Sequence, residues 1–325
     1  MKVFIVGDLT SDNGPANVNK IIKKYSKADT MFSEERNKIK RIKELVVKIK
    51  KSEVVIFSGL SNINVIGLMI CRLLKKKCAY LMHGCVEYEC SLNKNSDRKE
   101  IIKEKLTLFL APKIICVSRI FKEWFVSKYN KYKYKTNYVM NCVEVHDNQE
   151  SILKEKNYVM SIGGGVPSKN IKYICKAIQK INEEDNMNLK LIVIGRDGKD
   201  TEEIKKYSFV EYKGVLTKEE VENCYRSSLL YIQNSTFETF GLSVLECLHY
   251  GCSLLISKNI GAVDVFENLQ ESDLIDNTYD VNEIAIKIKE IIKFSNNSRV
   301  LHSIDTEKID LKKYYTRLVE ATALK

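Results

Sequence analysis

Short, unbroken apolar runs alternate along this chain with longer stretches in which apolar residues recur at helical spacing. The runs fall in two sets. The first lies at residues 3–7, 54–58, 79–83, 114–118 and 138–141, the second at 158–162, 191–194, 209–212, 229–233 and 253–257. Short buried strands joined by helices predict parallel sheets with crossover connections, so the fold class is α/β with two successive open-sheet units. The polar, charged residues 146–157 between the sets read as the interdomain linker. The expected domains are therefore 1–148 and 149–305. Residues 280–294 are helical by pattern, and 309–324 form a last amphipathic segment with Leu311, Tyr314, Tyr315 and Leu318 as its apolar face. By pattern alone, a final helix over 306–325 fits either domain.

The densest information lies in Asn234-Ser-Thr-Phe-Glu-Thr-Phe-Gly-Leu-Ser-Val-Leu-Glu-Cys-Leu-His-Tyr-Gly251. A strand over 229–233 precedes it. Leu242, Leu245, Leu248 and His249 then repeat at helical spacing up to Gly251. Glu238 thus falls in a strand-to-helix loop, and Glu246 on the helix, about 6 Å of axial rise beyond Leu242. Between them lies a helix N-terminus, where the backbone N–H groups of Phe240, Gly241 and Leu242 and the helix dipole favour an anion. The matching ligand has hydroxyls at both ends and negative charge in the middle, which describes a nucleotide-diphosphate sugar. An acidic loop followed by an ordinary core helix is the alternative for either glutamate taken alone.

Glu238-Thr-Phe-Gly-Leu-Ser-Val-Leu-Glu246, with Ser235, Gly251 and Gly261, resembles the Glu-x7-Glu signature of the retaining glycosyltransferases of family 4. The resemblance implies the GT-B fold: two Rossmann-like domains facing across a cleft, acceptor side first and nucleotide-sugar side second, with the last helix returning to the first domain. It also implies a surface-polysaccharide enzyme of bacterial type. The glycine-bearing loop around Gly14 then lies over the donor diphosphate, and His83, in His83-Gly84 after a strand, contacts the transferred sugar. In Gly163-Gly164-Gly165-Val-Pro-Ser-Lys169, the resemblance puts Gly165 and Lys169 on the diphosphate, while Gly164 stands where relatives carry an arginine. Arg196, at the next strand end, is the expected replacement. Val215 sits where the family meets the base. The resemblance makes Glu238, Phe240, Gly241, Leu242 and Glu246 donor-binding, and His83, Lys169 and Glu238 catalytic.

Composition narrows the setting. With 44% apolar and 29% charged residues among 325, the chain is globular in type, and no run reaches the length of a membrane span. Its N-terminus enters a strand at once, Lys2-Val-Phe-Ile-Val-Gly, which reads as neither a signal nor a transit peptide. Ten scattered cysteines without a Cys-x2-Cys pair fit buried thiols in a reducing cytoplasm. Only four histidines occur, and no Asp-x-Asp stands near a strand end, so no metal and no cofactor is expected beyond the donor substrate. The net charge of +11 points to an anionic partner. Nucleic acid is not expected, because Lys and Arg are spread along both domains and no nucleic-acid-binding motif is present. Lys20, Lys23, Lys24 and Lys27, together with Lys128-Tyr-Asn-Lys-Tyr-Lys-Tyr-Lys135, suggest an anionic membrane surface on the cytoplasmic side, with a glycan or lipid-linked glycan as acceptor. A nucleotide-sugar epimerase or a phosphorylase on twin α/β domains is the rival enzyme class.

Overall fold

The computed structural model describes residues 1–11, 13–35, 37–143 and 157–323. The expected linker and the 148/149 boundary lie outside the described residues, Asn157 excepted. The chain forms two compact units, one from Met1–Ser91, Asn95–Glu144 and Thr306–Lys325, the other from Leu92–Lys94 and Val145–Asp305.

The first unit carries β1 (Val3–Val6), β2 (Met31–Phe32), β3 (Val54–Ser58), β4 (Lys77–Met82), β5 (Ile114–Cys116) and β6 (Thr136–Tyr138), all parallel, in the order β2-β1-β3-β4-β5-β6. Every residue of β1 and β3 is buried, as required when helices cover both faces of a parallel sheet. Strand β6 stops at Tyr138, short of the run expected to 141. The Val139 and Asn141 N–H groups still donate to Cys116 and Val117, so the chain keeps its course beside β5. The last helix, Leu311–Ala323, belongs to this unit and packs on β3, β4 and the helix Gly14–Tyr25. Tyr314, Tyr315 and Leu318 are buried there. Tyr314 Oη donates to Asn141 Oδ1 at 3.1 Å, and the hydroxyls of Tyr315 and Thr30 lie 2.6 Å apart.

The second unit carries β7 (Tyr158–Ile162), β8 (Lys190–Ile194), β9 (Val210–Gly214), β10 (Leu230–Gln233), β11 (Ser253–Ser257) and β12 (Leu274–Ile275), again all parallel, in the order β12-β11-β10-β7-β8-β9. From β7 the chain winds outward to β9, then returns past its start and winds the other way. The order therefore reverses between β7 and β10, and at such a point the loops leaving the two strands diverge and open a crevice at their carboxyl ends. The helices Ile171–Asp185 and Val281–Lys293 pack together on the sheet, with Ile171, Ile174, Ile178 and Ile181 making one apolar stripe. Among the described residues no helix is long and apolar enough to cross a bilayer.

Candidate active site

The loops that leave β7 and β10 flank the reversal, and side chain–backbone hydrogen bonds tie them together. Asn170, in the left-handed region at φ +52°, donates from Nδ2 to Asn234 O at 3.1 Å and to Thr236 Oγ1 at 2.7 Å. The Thr236 N–H donates to Ser168 O at 2.9 Å. This register brings Lys169 Nζ onto Glu238 Oε2 as an ion pair whose side chains are 23% and 20% exposed. A third loop holds the Glu238 backbone: Glu238 N–H donates to Asn259 O at 3.2 Å, and Gly261 N–H donates to Glu238 O at 3.0 Å.

Behind the glutamate runs a polar relay. Tyr231 Oη lies 2.7 Å from Ser243 Oγ, which donates to Gln233 Oε1 at 3.2 Å; Gln233 Nε2 donates to Glu238 Oε2 at 3.1 Å. Tyr231 and Gln233 are buried. With its Oε1 engaged, the Gln233 amide must turn its NH2 toward Glu238. That carboxylate is therefore held from below by a neutral donor and from the β7 side by a cation.

The glycines of this loop pack closely against the loop after β8. Gly164 has φ +57°, and a Cβ on it would lie 2.1 Å from Arg196 O. A Cβ on Gly165 would lie 1.9 Å from Thr201 Oγ1. Both glycines press on the loop after β8, so no arginine fits at position 164. Arg196 has its own backbone against that spot, its carbonyl accepting from Gly165 N–H at 3.1 Å and Tyr212 Oη at 3.0 Å. Its side chain is exposed. Val215, just past β9, is 78% exposed.

The helix expected after Glu238 spans Leu242–His249 and starts from Gly241, whose φ of +92° suits glycine alone. Phe240 is a wall residue: its side chain is buried and its carbonyl accepts from Ala262 N–H at 2.7 Å. Glu246 stands one turn into the helix, partly buried, and accepts from Tyr225 Oη at 3.4 Å. Burial pushes its carboxyl above the usual carboxylate range, opposed by Lys218 and the Tyr225 hydroxyl.

Residues 143–303 match the family model described as glycosyl transferases group 1. The match falls almost wholly within the second unit. The Escherichia coli O-antigen chain mannosyltransferase B is 24% identical over 147 residues, a stretch that is 43% of this chain and 38% of that protein. The chain thus matches well under half the length of that curated relative. Among solved structures, Anabaena HepE in complex with UDP and glucose superposes with a TM-score of 0.71 at 13% identity, covering 98% of both chains. Sucrose-phosphate synthase from Thermosynechococcus elongatus gives 0.64 at 16% identity, covering 100% of this chain and 97% of the other. The architecture is GT-B.

The matched segment contains Gly165, Lys169, Arg196, Val215, Glu238, Phe240, Gly241, Leu242 and Glu246. It brings Lys169 to Glu238 and sets Gly165 beside Arg196. Gly14 and His83 belong to the first unit. Gly14 opens the helix Gly14–Tyr25, whose N-terminus Asn13 caps by accepting from Ala16 N–H at 3.0 Å, an ordinary helix start. His83 follows β4, with Nε2 2.8 Å from Ser58 Oγ; burial lowers its pKa to about 4, so the imidazole is neutral at physiological pH. The next turn is fixed by Glu104, a buried carboxylate that accepts from Val86 N–H at 2.7 Å and Glu87 N–H at 3.0 Å, at the start of the helix Val86–Leu92. The residues that sequence reasoning missed are Asn170, Tyr231, Gln233 and Ser243. Of these only Gln233 carries a sequence signal, polarity at the end of an apolar strand.

Proposed function

We propose that the chain is a retaining glycosyltransferase that moves a hexose-type sugar from a nucleotide-diphosphate donor, a UDP-sugar first, to a hydroxyl acceptor. The observation that carries this is the Lys169–Glu238 pair at the β7/β10 crevice, beside the start of the helix Leu242–His249. One point thus offers a cation and a helix end to phosphate, and a fixed carboxylate to sugar hydroxyls. The bond from the anomeric carbon to the diphosphate oxygen breaks with its electron pair going to that oxygen. The acceptor hydroxyl attacks from the face the diphosphate leaves, and its proton passes to the departing oxygen. Charge grows on the diphosphate during the step, so Lys169 and the backbone N–H groups at the helix end act most strongly in the transition state. Glu238 orients the transferred sugar and Glu246 the ribose. Arg196 is the second cation for the diphosphate. Neutral His83 offers a hydrogen bond to the transferred sugar on the acceptor side.

With cations supplied by side chains, the reaction needs no divalent ion. The acceptor is a glycan or lipid-linked glycan of cell-surface polysaccharide synthesis, reached from the cytoplasmic face of the membrane. The test is a panel of UDP-, GDP- and dTDP-sugars read by melting temperature and by transfer to glycosyl-lipid acceptors, with and without EDTA. A donor that stabilises the protein, transfers with retained anomeric configuration and works in EDTA is the expected result. Turnover of donor without acceptor points to an epimerase, and complete loss in EDTA removes the metal-free mechanism.

A further inference from the structure

The first unit leaves an apolar face uncovered on three neighbouring helices. Asn62–Leu73 packs against both Lys38–Lys51 and Arg98–Leu110. Each helix buries one side in the unit and turns other apolar side chains outward. On Arg98–Leu110 they form a stripe of Ile102, Leu106 and Phe109, spaced i, i+4 and i+7, with Phe109 62% exposed. On Asn62–Leu73 it is Met69 and Leu73, the latter 82% exposed, while Lys38–Lys51 exposes Ile39, Ile42 and Val47 on separate parts of its circumference. More than half of the large apolar side chains exposed among the described residues stand on these three helices. Such clustering marks an interaction surface, since singly exposed apolar residues scatter.

Charge identifies the occupant. Lys38–Lys51 holds seven Lys or Arg and a single Glu among its 14 residues. Arg72, Lys75, Lys76 and Lys135 line a groove of about 500 Å3 that continues the face past Leu68 and Phe109. A second copy of this chain would set like charges against each other, whereas apolar side chains within a cationic field match an anionic lipid surface. We propose that this three-helix face docks the protein on anionic bilayers, with Leu73 and Phe109 entering the acyl boundary and the lysines of Lys38–Lys51 meeting the headgroups.

Of the Lys128–Lys135 segment suggested by sequence, the end lines that groove through Tyr132, Tyr134 and Lys135. There Lys128 Nζ sits 4.2 Å from the Tyr88 ring centroid, Tyr132 is buried, and Lys135 Nζ donates to Leu108 O and Ala111 O at 2.7 Å each. Most of that segment serves the fold of the unit.

Vesicle co-sedimentation reads the face without donor or acceptor, so its outcome is separate from that of the proposed transfer reaction. The probes are phosphatidylglycerol and phosphatidylcholine vesicles at low and high salt. The full chain is expected to bind phosphatidylglycerol vesicles, about tenfold or more weakly when Leu73→Ser and Phe109→Ser are combined. Lys40→Glu with Lys43→Glu should bind more weakly than the parent at low salt, with the difference shrinking in high salt, where the charges are screened. All substitutions are at surface positions, and unchanged melting temperature certifies each variant. Absence of binding to phosphatidylglycerol vesicles overturns the proposal, as does binding that survives loss of Leu73 and Phe109. So does a dimer in sedimentation velocity that the Leu73→Ser, Phe109→Ser variant abolishes.

Discussion

Lys169 and Glu238, 69 residues apart in the chain, meet as an ion pair because Asn170 and Thr236 lock the loops that leave β7 and β10. In the proposed reaction Lys169 meets the diphosphate and Glu238 the transferred sugar. Lys169→Ala is expected to cost about 2–4 kcal/mol in kcat/KM, in the range of a lost oxyanion donor. Steady-state kinetics on the stabilising donor measures it, and activity within a few-fold of the parent would assign the phosphate contact to another cation.

Gln233 holds Glu238 through an amide whose orientation Tyr231 and Ser243 set together, each donating to its Oε1. Gln233→Leu removes that donor and leaves Glu238 to Lys169 alone. A loss of about 1 kcal/mol or more in kcat/KM is expected from one hydrogen bond to a charged group. Ser243→Ala should show a smaller loss in the same direction. If both variants keep parental kinetics at parental melting temperature, the relay has no part in orienting Glu238.

Burial raises the Glu246 carboxyl pKa. A carboxyl with a raised folded pKa stabilises the fold below its ordinary value of about 4.3, and that contribution is lost as pH rises through the folded value. At neutral pH the charge therefore opposes folding. Glu246→Gln should raise the melting temperature while weakening binding of the nucleoside diphosphate. Thermal denaturation and calorimetric titration read the two effects. A lowered melting temperature would contradict the first, and unchanged affinity would contradict the ribose contact.

His83 shifts the other way, from 6.5 to about 4 by burial. Its contribution to stability is complete above about 6.5 and is lost as pH falls toward the folded value. The parent should lose more stability than His83→Gln does between neutral pH and pH 4. NMR titration of the imidazole supplies the direct measurement, and a midpoint near 6.5 would mean the ring is solvated.

Much of this was legible in the residues because the strands of parallel sheets are buried on both faces and print as unbroken apolar runs. Strands β7, β8, β10 and β11 lie where those runs stand. Edge strands β2 and β12 are two residues each, too short to carry a pattern. Glu238, Gly241 and Glu246 were legible because a helix start and its spacing are local properties. The Asn170 clasp and the Tyr231–Ser243–Gln233 relay were not, since each joins elements through side chains whose partners depend on strand order. Pattern alone left the landing place of Leu311–Ala323 open, since an amphipathic stripe says which side is buried and is silent on which sheet receives it; only the family resemblance pointed to the first unit.

That helix also orders events at the ribosome. All residues of the second unit, through Asp305, emerge before Leu311–Ala323 can reach β3 and β4. The unit whose synthesis starts first is thus completed last, and during translation its unfinished sheet lacks the cover that Tyr314, Tyr315 and Leu318 provide. A stop codon just before Thr306 would leave the second unit whole and unroof the first.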